Sequence, residues 1–238
     1  MSDAVQTTLE GGIGIIRLCR PERRNALDTA ASAALDRAFA RLGADMDCRV
    51  ILLTGGNEAF CSGWDTREFA SLAALPDDQL TAAFAANFTM LNRLSACPQP
   101  TIAAIAGPAM GFGFSLAVRC DVGLASATAR FALPELAYGL VPGMVMQDAV
   151  DTMGRRAALD WMLSAETFDV NAGRRHGIVT RIAAGDDVVA DGLALARRIA
   201  GFASVPARRT KEMARQMERG EVSPEQAIAE SIRHLRKS

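Results

Sequence analysis

Histidine is nearly missing from this chain. Only His176 and His234 are present, so a multi-histidine zinc site is excluded and any histidine-based triad must use one of these two. Aromatics are 5 % of the 238 residues, too few for an extended aromatic binding face. The five cysteines (Cys19, Cys48, Cys61, Cys97, Cys120) are scattered, odd in number and without a C-x-x-C pair. That pattern excludes a disulfide framework and points to reduced thiols in the cytoplasm. Neither sign of charge dominates: 26 Lys+Arg face 27 Asp+Glu, a net of −1, which argues against a nucleic-acid partner while leaving room for a local basic pocket. No uncharged apolar run reaches about 18 residues, so no membrane span is expected. The opening Met1-Ser2-Asp3-Ala4 lacks the basic and apolar regions of a secretion signal. A phosphate loop of the form G-x-x-x-x-G-K-[ST] is also missing. The Gly-x-Gly at 111–113 continues as Phe-Ser-Leu, which is not the dinucleotide fingerprint.

What is there is apolar and alternating. Half of the residues are hydrophobic, ample for one large core. Short β-branched or small-residue runs at 13–18, 49–54, 101–106, 121–125 and 178–182 read as strands. Between them lie helical patterns. Asp28 is placed to cap a helix bearing Leu35, Phe39 and Leu42, and a second helix carries Leu80, Phe84, Phe88 and Leu91 at helical spacing. The alternation predicts an α/β fold, a mostly parallel sheet covered by helices. The sequence divides into an α/β core over 1–185 and a helical C-terminal lobe over 186–238. In the last predicted helix Ser223, Pro224 and Gln226 form a capping box.

Three glycine-containing junctions follow predicted strands: Ala59 to Asp65, Gly107 to Gly113, and Leu133 to Gly143. Ligand crevices of parallel α/β sheets sit at such strand ends. Backbone N–H groups at a turn or helix start suit a developing negative oxygen, and small residues admit a ligand close to the backbone. Each junction alone reads equally as plain helix–strand packing.

Taken with Arg20-Pro21-Glu22-Arg23-Arg24-Asn25-Ala26-Leu27, the three junctions resemble, in order and spacing, the enoyl-CoA hydratase/isomerase (crotonase) superfamily over roughly residues 5–235. The resemblance implies a crotonase-like ββα spiral core acting on an acyl-CoA thioester, with no cofactor beyond the coenzyme A carried by the substrate. It implies an oxyanion hole made by the backbone N–H groups of Trp64 and Phe112, where the family usually has small residues. It places Glu135 as the acid/base, and Ser115 where hydratases carry a second glutamate. Arg23, Arg24, Asp65 and Arg67 fall at or beside the family's coenzyme A contacts. A homotrimer or hexamer assembled through the C-terminal lobe is implied too. The chain closes at Arg236-Lys237-Ser238, ahead of a final segment usual in the family, so a shortened lobe is expected.

One glutamate in place of two fits moving a double bond better than adding water, because one base can remove a proton at C2 and return it at C4. An enoyl-CoA isomerase is therefore the leading expectation. A hydratase, a hydrolase or decarboxylase on the same scaffold, and a non-catalytic acyl-CoA-binding protein stay open. So do bland readings of individual residues: Glu135 as a loop-capping carboxylate, Ser115 as a small packing residue, Trp64 and Phe112 as core aromatics, and the arginines as solvated charges. His176 is expected at a helix C-terminus, where a basic residue suits the helix dipole, and His234 is expected to be exposed.

Overall fold

The computed structural model describes residues 4–235, apart from the side chain of His234. The exposure expected of His234, and the closing residues 236–238, lie outside the described residues.

Strands β1 (Val5–Glu10) and β2 (Ile13–Leu18) form an antiparallel hairpin turned at Gly11 and Gly12, both at positive φ (57° and 81°). The sequence reading missed β1. It is an edge strand whose Gln6, Thr8 and Glu10 face solvent, so no apolar run marks it. Helix α1 (Thr29–Ala44) starts where predicted: the Asp28 carboxylate accepts from the Ala31 N–H at 2.8 Å, and Leu35, Phe39 and Leu42 are buried. Strand β3 (Val50–Thr54) is buried throughout. Helices α2 (Phe69–Ala73) and α3 (Asp77–Ala96) follow, then β4 (Thr101–Ile105), β5 (Pro108–Met110), α4 (Phe112–Arg119), β6 (Val122–Ala125) and β7 (Arg130–Ala132). Helix α5 (Met146–Ser164) is broken at Gly154, whose backbone (φ 76°, ψ 151°) is not helical. The chain ends with β8 (Phe168–Asp169), α6 (Val170–Arg175), β9 (Arg181–Ile182), α7 (Val188–Ala200), α8 (Ser204–Glu218) and α9 (Pro224–Leu235).

The main sheet has the order β1-β2-β3-β4-β6-β9 and is parallel except for the β1–β2 hairpin. The mixed α/β class is as predicted. Strand 178–182 is shorter than predicted, because the N–H groups of Ile178 and Val179 both turn back to the Gly173 carbonyl before pairing starts at Arg181. A second sheet, β5-β7-β8, is too short in each strand to leave a periodic signal. One apolar cluster joins α1, α3, α4 and α5 to the sheet. The other lies between the opposite sheet face and α7, with Leu52, Ile102, Ala104, Val188 and Ala196 at its centre. His176 caps the C-terminus of α6, its ring edge-on to Trp161.

Helix α3 departs from the predicted face. Asn87, Met90, Leu91 and Leu94 are its buried residues, while Phe84 and Phe88 are partly exposed. The stripe continues N-terminally through Leu80, Ala83 and Phe84, which line an open chamber rather than the core. One helix face thus serves two surroundings, which hydrophobicity alone does not separate.

Helix α8 is tied down by cations. The Lys211 ammonium lies 2.6 Å from Asp121 and 2.7 Å from the Gln99 carbonyl, and Arg208 donates to the Cys48 carbonyl at 2.9 Å. Asp121 also accepts from the Thr101 N–H and hydroxyl, and so joins β4 to α8. In α9 the capping box is closed reciprocally by Ser223 and Gln226. Among the described residues no helix is long and apolar enough to cross a membrane.

Candidate active site

The first two glycine junctions pair with each other, and the second also pairs with β7, the strand that leads into the third. The Cys61 N–H donates to the Pro108 carbonyl at 2.9 Å, and the Met110 N–H donates back to Cys61 at 3.0 Å. Strand β5 pairs with β7, and the Gly111 N–H donates to Ala132 at 2.9 Å. On the other side the Leu27 N–H donates to Gly63 and the Asp65 N–H to Leu27, both at 2.8 Å. Segments 24–27, 61–65, 108–112 and 130–135 therefore form one layer. Asn25 pins its edge: buried and at positive φ (57°), it donates to the carbonyls of Gly55 (3.0 Å) and Ala59 (2.6 Å). The sequence reading passed over Asn25, although an Asn in an Arg-rich turn suits left-handed backbone.

Close approach explains two of the glycines. A Cβ on Gly113 would stand 2.2 Å from the Cys61 carbonyl oxygen, so α4 can start against this strand only with glycine there. Gly111 has φ 49°, and a Cβ on it would stand 2.7 Å from Glu135 Oε1.

Over this layer lies a chamber of about 800 Å³. Trp64, Phe112 and Glu135 all line it, and Glu135 is the one carboxylate among its lining residues. The Trp64 and Phe112 backbone N–H groups donate to no acceptor among the described residues. Phe112 is the first residue of α4, where helix N–H groups have no partner within the helix. A Cβ on Gly63, next to Trp64, would come within 3.7 Å of the Phe112 nitrogen, so the two N–H groups belong to one small region. The two rings meet edge to face, 6.0 Å apart at 87°, and Phe112 is buried. The aromatics are thus packing residues and bearers of free N–H groups at once.

Glu135 opens a short 3-10 turn, Glu135–Tyr138, closed by Gly139 at φ 72°. Its Oε2 is buried without a hydrogen-bond partner among the described residues, and burial raises its pKa above the usual carboxylate range. A carboxylate whose charged form burial disfavours is a stronger proton acceptor than an exposed one. Ser115 is fully buried one turn into α4, its hydroxyl without a partner among the described residues, and it does not line the chamber.

Of the expected coenzyme A contacts, Arg24 lines the chamber, and Arg23, exposed in the adjoining turn, does not. Asp65 is buried and fully engaged. Arg67 grips it with Nε at 2.9 Å and a second contact through Nη2, and Arg20 reaches it at 3.1 Å. The Arg67 guanidinium, bonding first and charge second, holds the Asp65 carboxyl far below its usual range. Arg67 is thereby directed at Asp65, and neither residue lines the chamber. Sequence reasoning also missed Asn87, which lines the chamber while accepting from the Ser32 hydroxyl at 2.5 Å, and Tyr138, the only tyrosine of the chain. A polar residue inside an apolar helical stripe was the available signal for Asn87.

Comparison with known proteins gives the family and the fold. Residues 8–235 match the family described as enoyl-CoA hydratase/isomerase. A Mycobacterium bovis protein described as a probable enoyl-CoA hydratase is 37 % identical over 201 residues, 84 % of this chain and 76 % of that one. The mitochondrial enoyl-CoA hydratase of Pongo abelii is 30 % identical over 201 residues, 84 % of this chain and 68 % of its own length. Among solved structures, an enoyl-CoA hydratase/carnithine racemase from Magnetospirillum magneticum superposes with a TM-score of 0.88 at 32 % identity, covering 99 % of this chain and 88 % of that one. The fold is crotonase-like.

Proposed function

The chain belongs to the enoyl-CoA hydratase/isomerase family, and from that premise we propose that it moves the double bond of an enoyl-CoA, with Glu135 as the single acid/base. The observation that carries this reading is that Glu135 is the one carboxylate among the chamber-lining residues, while Ser115, at the position of a second glutamate, is buried away from it. Glu135 takes a proton from C2 of a 3-enoyl-CoA. The electron pair flows into the thioester carbonyl, whose oxygen is held by the Trp64 and Phe112 N–H groups, and the same carboxyl returns the proton at C4. Each such donor is worth on the order of 3 kcal/mol to a developing oxyanion. In this reading Arg24, the basic residue among the chamber-lining residues, meets a phosphate of coenzyme A, and the scheme asks for no further cofactor.

Hydration is the second reading, favoured by the names of the relatives. It asks for a second group to hold water, and Tyr138 is a chamber-lining candidate. Separate incubation with 3-enoyl-CoA and 2-enoyl-CoA, followed by mass spectrometry, tests the two. Conversion of the former without water addition to the latter supports the isomerase, and comparable water addition removes it.

We also propose self-association into a trimer or hexamer through the C-terminal lobe, residues 186–238. Ile228, Ile232 and Leu235 recur at helical spacing on α9 and are exposed in the single chain, which supports this reading.

A further inference from the structure

Helix α3 carries a polar residue where its apolar face passes from the chamber into the core. Leu80, Ala83, Phe84 and Asn87 line the chamber turn by turn, and Met90, Leu91 and Leu94, next along the same face, are fully buried. Asn87 therefore stands at the inner end of the chamber along this helix. It is 6 % exposed, and of the polar residues that line the chamber it alone is buried as a whole. One end of its amide is accounted for: Oδ1 accepts from the Ser32 hydroxyl of α1 at 2.5 Å. That hydroxyl is itself buried and has no other acceptor among the described residues, so its one proton needs the Asn87 oxygen, which fixes the end of the amide that faces α1. The Nδ2 end meets no acceptor among the described residues. Nor is it sealed from solvent. The side-chain atoms that are both unpartnered and sealed, among the described residues, are Trp64 Nε1, Ser115 Oγ, Glu135 Oε2 and Arg208 Nε, and Asn87 Nδ2 is not one of them. With the oxygen held toward α1, the open N–H groups belong to the side of the residue that lines the chamber.

We propose that Asn87 is a specificity residue whose Nδ2 donates to a neutral oxygen on the part of the acyl chain that reaches the inner end of the chamber. In the free protein, water entering the open chamber satisfies these N–H groups. An acyl chain that fills the inner end displaces that water, and only a chain with an acceptor there gives the hydrogen bond back. A plain hydrocarbon leaves a buried amide donor unpaired, which costs binding. The acceptor is neutral because the one cation among the lining residues, Arg24, is exposed, while Glu135 already supplies a carboxylate. This inference rests on the acyl-CoA reading of the site and adds the chemistry of the acyl chain to it.

The test is equilibrium binding, by calorimetry, of octanoyl-CoA against its 4-, 5-, 6- and 7-oxo derivatives, whose added oxygen is an acceptor only. The expected result is that at least one oxo ester binds wild type about fivefold tighter or more than octanoyl-CoA. Two variants then remove the donor. Asn87→Leu combined with Ser32→Ala takes away both partners, so no hydroxyl is left orphaned, and brings the ratio to about one. Asn87→Asp keeps an acceptor for Ser32 and turns the donor end into an acceptor, so the ratio falls to one or below. Equal affinities across the wild-type panel overturn the proposal without any variant. So does a ratio unchanged in either variant, or an equal loss of affinity for octanoyl-CoA and the oxo esters, because Asn87 would then serve the shared thioester or the fold alone. These saturated esters do not isomerise, so this inference and the isomerase reading fail in different experiments.

Discussion

Glu135 Oε1 lies 2.7 Å from the point where a Cβ on Gly111 would stand, so the missing side chain of one residue is the space occupied by the carboxylate of the other. Gly111 also adopts φ 49°, disfavoured for L side chains. Gly111→Ala is therefore expected to displace Glu135 and lower turnover by about 100-fold or more, comparable to losing general acid–base help. Steady-state kinetics on 3-enoyl-CoA check it; wild-type turnover in Gly111→Ala would show that the carboxylate is not confined there.

Glu135→Gln is expected to lower turnover by about 10²–10⁴-fold, with acyl-CoA affinity near wild type. In the proposed mechanism the basic form does the work, so the rate is expected to rise with pH through a pKa that burial has placed above the usual carboxylate range. The sign for stability is opposite. A raised folded pKa gives stability that is full below the unfolded value and lost as pH rises through the folded one. Glu135→Gln is accordingly expected to melt higher than wild type at neutral pH, read by differential scanning calorimetry.

Asp65 is expected to act through stability rather than chemistry. Arg67 and Arg20 hold its folded pKa far below the usual value. Its contribution is present above the unfolded pKa and lost as pH falls through the folded one, well into acid. Asp65→Asn should cost about 1–3 kcal/mol in urea unfolding, a figure reduced because the Arg67 side chain is half exposed.

Four of the five cysteines are expected to resist alkylation in the folded protein. Cys48, Cys61, Cys97 and Cys120 are buried, and burial pushes the Cys61 thiol up to about 12 and Cys48 to about 11. Only Cys19 is partly accessible. Brief maleimide treatment with peptide mapping should label Cys19 first, and the others only in denaturant.

Ile232→Glu in α9 is expected to lower the assembly mass towards the monomer in light scattering, because it puts a charge into the apolar stripe of Ile228, Ile232 and Leu235. A mass equal to wild type would take the proposed interface off this helix face.

What was legible in the sequence was local. Apolar runs gave β2, β3, β4 and β6, and the caps at Asp28 and Ser223 were visible because their partners lie three residues away. Glycine junctions marked where the chain turns, and the structure brings Trp64, Phe112 and Glu135 from three of them to one chamber. What was not legible depended on distant partners. The edge strand β1 is defined by pairing with β2. The stripe on α3 divides between core and chamber according to what stands opposite. Arg67 binds Asp65 in place of pointing to the chamber, and a Trp64 indole N–H without an acceptor among the described residues shows itself only once every neighbour is placed.

The central claim, that one carboxylate shuttles one proton along the acyl chain, is tested most directly by incubating the protein in D₂O with 3-enoyl-CoA and with 2-enoyl-CoA and analysing both by mass spectrometry. The account predicts 2-enoyl-CoA from the former, deuterium exchange dependent on Glu135, and no water adduct from either. Formation of 3-hydroxyacyl-CoA from 2-enoyl-CoA at a comparable rate would contradict it.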